Sequence, residues 1–166
     1  MEQGATCADV TVRSANDTDA DGLRGFLGRL SERTVYLRFF TGLGQVPNRF
    51  LTWLLPHGPH RVVLLAEGDG EIVGHAMYTA DPTGGGAADL AVVVADAWQG
   101  CGIGPRLVQD LLGIGQVRGI REIRLTVLAG NRRANRMVAG VWPGARPVLT
   151  EGVYEYVLPV SVPAAA

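Results

Sequence analysis

Apolar and polar positions along the chain follow two periods. Val10-Thr11-Val12 is a short β-branched run that predicts a first strand, and Asn16-Asp17-Thr18-Asp19 after it suits a helix start. Leu23, Phe26, Leu27 and Leu30 recur at three-four spacing, which turns one face of that helix inward. Ser31-Glu32-Arg33 opens a second helix through Tyr36-Leu37-Arg38-Phe39-Phe40, and a third short one runs from Asn48 to Leu55 before Pro56 and Pro59. The runs 61–67 and 71–78 flank Gly68-Asp69-Gly70, a hairpin signal. After the loop 81–86 comes a central strand, Asp89 to Val94, and then a helix that packs through Leu107, Val108, Leu111 and Leu112. Strands over 122–128 and 152–158 enclose a helix from Asn131 to about Val141, and Pro163-Ala164-Ala165-Ala166 reads as a frayed end.

Composition narrows the class. The 166 residues suit one domain, 1–166 with an ordered core of about 8–160, large enough to need no disulfide or metal. No apolar run reaches the length of a membrane span, and the N-terminus lacks the basic-then-apolar leader pattern, so no membrane partner is expected. Cys7 and Cys101 make no disulfide framework, which points to a reducing cytoplasm. His57, His60 and His75 lack metal-ligand spacing, so no metal is expected.

Charge is uneven. Residues 1–99 hold seven arginines against twelve acids, whereas residues 100–146 hold eight arginines against Asp110 and Glu122. The basic share surrounds Gln99-Gly100-Cys101-Gly102-Ile103-Gly104 and suits a polyanion. Nucleic acid is not favoured, because the net charge is −1 and no basic-aromatic alternation appears.

A buried strand, a turn with three glycines and a helix start together make a phosphate site, where backbone N–H groups and the helix dipole meet an anion. A dinucleotide loop needs its third glycine one residue later, and a Walker A loop needs a lysine, which this chain lacks entirely. A plain tight turn is the bland alternative. The remaining pattern, Gln-x-x-Gly-x-Gly after an apolar strand, resembles the acyl-CoA pyrophosphate loop of the GNAT superfamily of N-acetyltransferases. The element order resembles that fold over nearly the whole chain. It implies an α/β (α+β) architecture: a mixed, mostly antiparallel sheet flanked by helices, with a splayed strand pair holding acyl-CoA.

Within the superfamily, Leu30-Ser31 through Phe40, Ala88 through Gly100 and Val127-Leu128-Ala129-Gly130-Asn131 resemble the catalytic domain of bacterial Pat-type protein lysine acetyltransferases. The resemblance implies acetyl-CoA as cofactor, bound by Val92, Val93, Val94, Gln99, Gly100, Cys101, Gly102, Ile103, Gly104, Arg106 and Asn131. A backbone N–H near Val92 or Val93 would polarise the thioester carbonyl. Asp89 stands where those enzymes place a catalytic glutamate and, one methylene shorter, would act through water; otherwise it only begins the strand. Val138 stands where many relatives carry a tyrosine. Tyr36, Phe39, Phe40 and Tyr78 would border the acceptor, an amine in a protein lysine or, alternatively, in an aminoglycoside or polyamine. A non-catalytic acyl-CoA sensor is a second class of reading, and pairing into a homodimer through Val153, Tyr154, Tyr156 and Val157 is a further expectation.

Overall fold

In the computed structural model, which describes residue 7, residues 9–40 and residues 48–161, twelve α-helices and strands follow one another. They are β1 (Thr11–Ser14), α1 (Ala20–Arg29), α2 (Glu32–Phe39), α3 (Asn48–Leu54), β2 (Arg61–Gly68), β3 (Glu71–Ala80), β4 (Ala87–Val94), α4 (Ile103–Val117), β5 (Glu122–Leu128), α5 (Arg132–Val141), β6 (Val148–Thr150) and β7 (Val153–Pro159). The tail at Pro163–Ala166 lies outside the described residues.

Local chemistry sets the ends of these elements. Before α1 a reciprocal cap forms: Asn16 Oδ1 accepts from the Thr18 N–H, and the Asp19 carboxylate accepts from the Asn16 N–H at 2.8 Å. Arg13 then donates to Asp19 at 2.7 and 2.9 Å and to Glu67 at 2.7 Å, tying β1 and the cap to β2. Asp69 and Gly70 both have positive φ, +52° and +76°, so the β2–β3 hairpin turns on the two-residue geometry that matches strand twist.

The sheet runs in the order β1-β2-β3-β4-β5-β7-β6 and is antiparallel except between β4 and β5. That one parallel pair holds only from Ala87 to Asp89, against Glu122 to Arg124. Beyond it β4 keeps its register with β3 as far as Val94, and β5 keeps its own with β7 as far as Leu128, so the two strands part. The splayed pair expected from the sequence is therefore present. On one face of the sheet α4 buries Leu107, Val108 and Leu111 completely; on the other α1 buries Leu23 and Phe26.

Three features go beyond or against the sequence reading. Strand β6 was not foreseen, because Val148, Leu149 and Thr150 are all exposed and carry no inward-outward alternation. With β6 at the sheet edge, Val153, Tyr154 and Glu155 of β7 pair with it, so that part of the edge expected to meet a second chain is covered from within this chain, and Tyr156 is buried. Cys7 and Cys101, read as unpaired, are joined by a disulfide that spans 94 residues of sequence.

Candidate functional site

Where β4 and β5 part, the backbone of β4 is left without a neighbour on one side. The Ala95 N–H donates to the Val73 carbonyl of β3 at 2.8 Å, so by alternation Val92 and Val94 turn their polar groups toward the gap. Val93 alternates the other way and directs its amide to β3, so Val92 is the one of the two expected thioester contacts whose N–H lies in the gap.

A cleft of about 1090 Å³ occupies this gap and extends over the start of α4, α5 and the inner face of α2. At its upper end the glycine turn is held by Trp98, whose indole covers Gly68 so closely that a Cβ there would lie 2.6 Å from the ring. Gly100 and Gly102 adopt φ of +85° and +76°, and nothing lies within 4 Å of where their Cβ atoms would be. Among the described residues the N–H groups of Gly100, Gly102, Ile103 and Gly104 donate to no carbonyl, and Gly102 begins the helical bonding by accepting from Arg106. Such a row of open donors at the start of a fifteen-residue helix suits an anion.

The glutamine of the turn has a structural task. Gln99 Nε2 donates to the Val94 carbonyl at 3.0 Å, and Gln99 Oε1 accepts from Arg133 of α5 at 2.9 Å, so one amide closes the top of the gap. Asp96, just before it, accepts from the Ser31 N–H, the Ser31 hydroxyl and the Thr34 hydroxyl at 3.0, 2.6 and 2.8 Å. Burial pushes the Asp96 carboxyl up, but these donors outweigh it and hold it below the usual carboxylate range. The turn and the start of α2 are thus one unit.

Six arginines line the cleft: Arg33 and Arg38 from α2, Arg124 from β5, and Arg132, Arg133 and Arg136 from α5. Burial draws the Arg38 guanidinium down to about 10, and its Cζ lies 4.8 Å from the centre of the Phe39 ring and 5.5 Å from that of Trp53. Only two acids line the cleft among the described residues, Asp96 and the exposed Asp89, which sits where β4 and β5 last touch.

The structure brings Asp89, Val92, Val93, Val94, Gln99, Gly100, Gly102, Ile103, Gly104 and Asn131 to this cleft, with Asn131 also capping α5 by accepting from the Ala134 N–H. Cys101 is not among the lining residues, and Arg106 turns away to donate to the Val10 carbonyl at 2.8 Å. Of the four aromatic candidates Phe40 alone lines the cleft. Tyr36 projects into solvent, Phe39 packs against Phe50, and Tyr78 is buried against Gly115 of α4, its hydroxyl pushed up by burial. Leu37 and Arg38 were missed although the helical period carried the signal: they follow Arg33 and Thr34 by one turn and share their face, opposite Tyr36.

Comparison with known proteins agrees with this geometry. The model of the acetyltransferase (GNAT) family matches residues 32–139. An acetyltransferase of Pseudomonas aeruginosa is 29% identical over 128 residues, which cover 74% of this chain and 68% of that protein. Among solved structures, the GNAT domain of S. lividans PAT superposes with a TM-score of 0.82 at 25% identity, over 90% of each chain. A protein of Salmonella typhimurium, solved with its cofactor acetyl-CoA, shares the fold with a TM-score of 0.68 at 17% identity, over 96% of this chain and 98% of that one.

Proposed function

The chain belongs to the acetyltransferase (GNAT) family, whose members carry an acetyl group from acetyl-CoA to an amine, and we propose that the acceptor here is the side-chain amine of a protein lysine. The donor set fits acetyl-CoA. The open N–H groups of the glycine turn and the arginines of α5 suit its phosphates, the turned-out polar groups of Val92 match an amide-bearing arm, and the cleft volume accommodates a long ligand. When bound, acetyl-CoA supplies an activated acetyl group as a thioester. The chain's own residues then have three tasks: the turn anchors the phosphates, Val92 aligns the arm and offers an N–H to the acyl oxygen, and Asp89 draws the ammonium proton from the acceptor, through water.

One observation carries the choice of acceptor. The acidic excess of residues 1–99 does not gather at the cleft: six arginines line it, and of its two acids Asp96 is already bonded. Aminoglycosides and polyamines carry several cations and need several carboxylates, whereas a lysine presents a single ammonium to the single exposed Asp89. Release of CoA thiol from acetyl-CoA should therefore occur with lysine peptides and not with polyamines or aminoglycosides. Release with the polycations alone would reverse the assignment.

A second reading, an acyl-CoA-binding module without turnover, is favoured by one feature. Val138 is fully buried where many relatives carry a tyrosine, and no tyrosine lines the cleft among the described residues. Binding of acetyl-CoA without thiol release on any amine would establish it. No helix is long and apolar enough to cross a membrane among the described residues, and the cytoplasm, where acetyl-CoA is supplied, is the proposed location.

A further inference from the structure

We propose that Cys7 and Cys101 are a reversible thiol–disulfide site that tightens or loosens the grip of the glycine turn on acetyl-CoA. The inference rests on the reading of that turn as the diphosphate site. The two sulfurs are bonded, and they are the only cysteines in the chain. Cys101 stands between Gly100 and Gly102, the two residues of the turn with positive φ and open space around them.

Position gives the bond its effect. Trp98 holds the turn on one side and α4 begins on the other, at Ile103. Between them Cys101 carries the only side chain among three residues, and that side chain is tied to Cys7. Three residues on from Cys7 the backbone is held: Arg106 donates to the Val10 carbonyl at 2.8 Å, and Val10 and Cys101 both pack against the core. Neither Cys7 nor Cys101 lines the cleft, so the bond does not obstruct the ligand. It braces the turn from behind.

Flexible glycines must be ordered before their N–H groups can converge on an anion, and that entropy is charged to binding. With the disulfide formed, the middle of the turn is already held. With it reduced, Gly100 to Gly102 regain freedom and binding must order them again. The exchange balances through a small thiol partner: a dithiol gives two electrons and two protons to the Cys7–Cys101 bond, leaves two protein thiols and becomes a cyclic disulfide, and a small-molecule disulfide reverses it.

The test is calorimetric binding of acetyl-CoA, a thioester with no free thiol to exchange with the bond, to full-length protein in two states. One is oxidised with glutathione disulfide, the other reduced with dithiothreitol, and thiols are counted after denaturation. The oxidised state should show no thiols and the reduced state two. Reduction should weaken binding about five- to tenfold through lost preorganisation, raise KM for acetyl-CoA with little change in kcat, and be undone by reoxidation. Cys7→Ser, kept free of disulfide reagents so that Cys101 stays a thiol, should bind like the reduced protein and ignore reductant, with the turn's own sequence intact. Equal affinity in both states, two thiols persisting after oxidation, or a reductant effect that survives in Cys7→Ser would each overturn the inference while leaving the diphosphate site standing. Absence of binding in both states would overturn the site and the inference together.

Discussion

Ser31 donates twice to Asp96, from its hydroxyl at 2.6 Å and from its backbone N–H at 3.0 Å, across 65 residues of sequence. The pair fastens the first residue before α2 to the turn that leaves β4. Because α2 brings Arg33, Leu37 and Arg38 to the cleft and the turn leads into the glycines, one carboxylate sets the spacing between the proposed acceptor and cofactor ends. Asp96→Asn keeps the size but replaces one acceptor oxygen by a donor that faces donors. The expected loss is about 2 kcal/mol in urea unfolding, with KM raised for the acceptor more than for acetyl-CoA. An unchanged KM for the acceptor would mean that α2 is held by its packing alone.

The fold was legible because each strong element announces itself locally. The three-four spacing of Leu23, Phe26 and Leu27, the Asp69-Gly70 turn and the apolar run ended by glycines all act through neighbours in sequence. What stayed hidden depends on partners far along the chain. Which side of α2 faces the cleft follows from its docking on β4, so Leu37 and Arg38 were passed over for the more conspicuous Tyr36 and Phe39. Tyr78 looked like a site residue because nothing near it in sequence shows that Gly115, on α4, leaves a hollow for its ring. The Cys7–Cys101 bond is the extreme case, as 94 residues separate its ends.

His75 makes stability depend on pH. Burial pulls it down to about 4 from an ordinary 6.5, against its hydrogen bond to the Leu54 carbonyl at 2.9 Å, and the Arg38 cation adds to the fall. The unfolded chain therefore takes up the proton first: stability is complete above pH 6.5, declines as pH falls toward 4 and then levels. The loss over that window is about 3 kcal/mol. Urea titrations at pH 7 and pH 4.5 measure it, and His75→Gln should flatten the slope between them. The carboxylates Asp19 and Asp96, both held below the ordinary 3.8, withdraw their contributions only below this window.

Gly68 should be intolerant of a side chain even though it lies outside the cleft. A methyl there would stand 2.6 Å from the Trp98 indole, so Gly68→Ala must displace the ring that seats the glycine turn. The expected cost is about 1–3 kcal/mol in stability, together with weaker acetyl-CoA binding. Pairing Gly68→Ala with Trp98→Leu should recover part of the stability, because the smaller side chain vacates the space. A Gly68→Ala protein as stable as the parent would show that the indole has room to move.

Asp89, the proposed base, allows binding to be tested apart from chemistry. It stands exposed at the last contact between β4 and β5, lining the end of the cleft opposite to the glycine turn, while the proposed donors for the phosphates come from Gly100 to Gly104. Removing its carboxylate should leave those donors untouched. Asp89→Ala is therefore expected to lower turnover by about 100-fold and to leave calorimetric acetyl-CoA affinity within about twofold. Asp89→Glu restores a carboxylate with one more methylene, the reach found in the Pat-type enzymes the segment resembles, and should retain or exceed the parent turnover. If Asp89→Ala turns over normally, the carboxylate serves only to begin the strand, and the acceptor's proton leaves directly to solvent at the open mouth of the cleft.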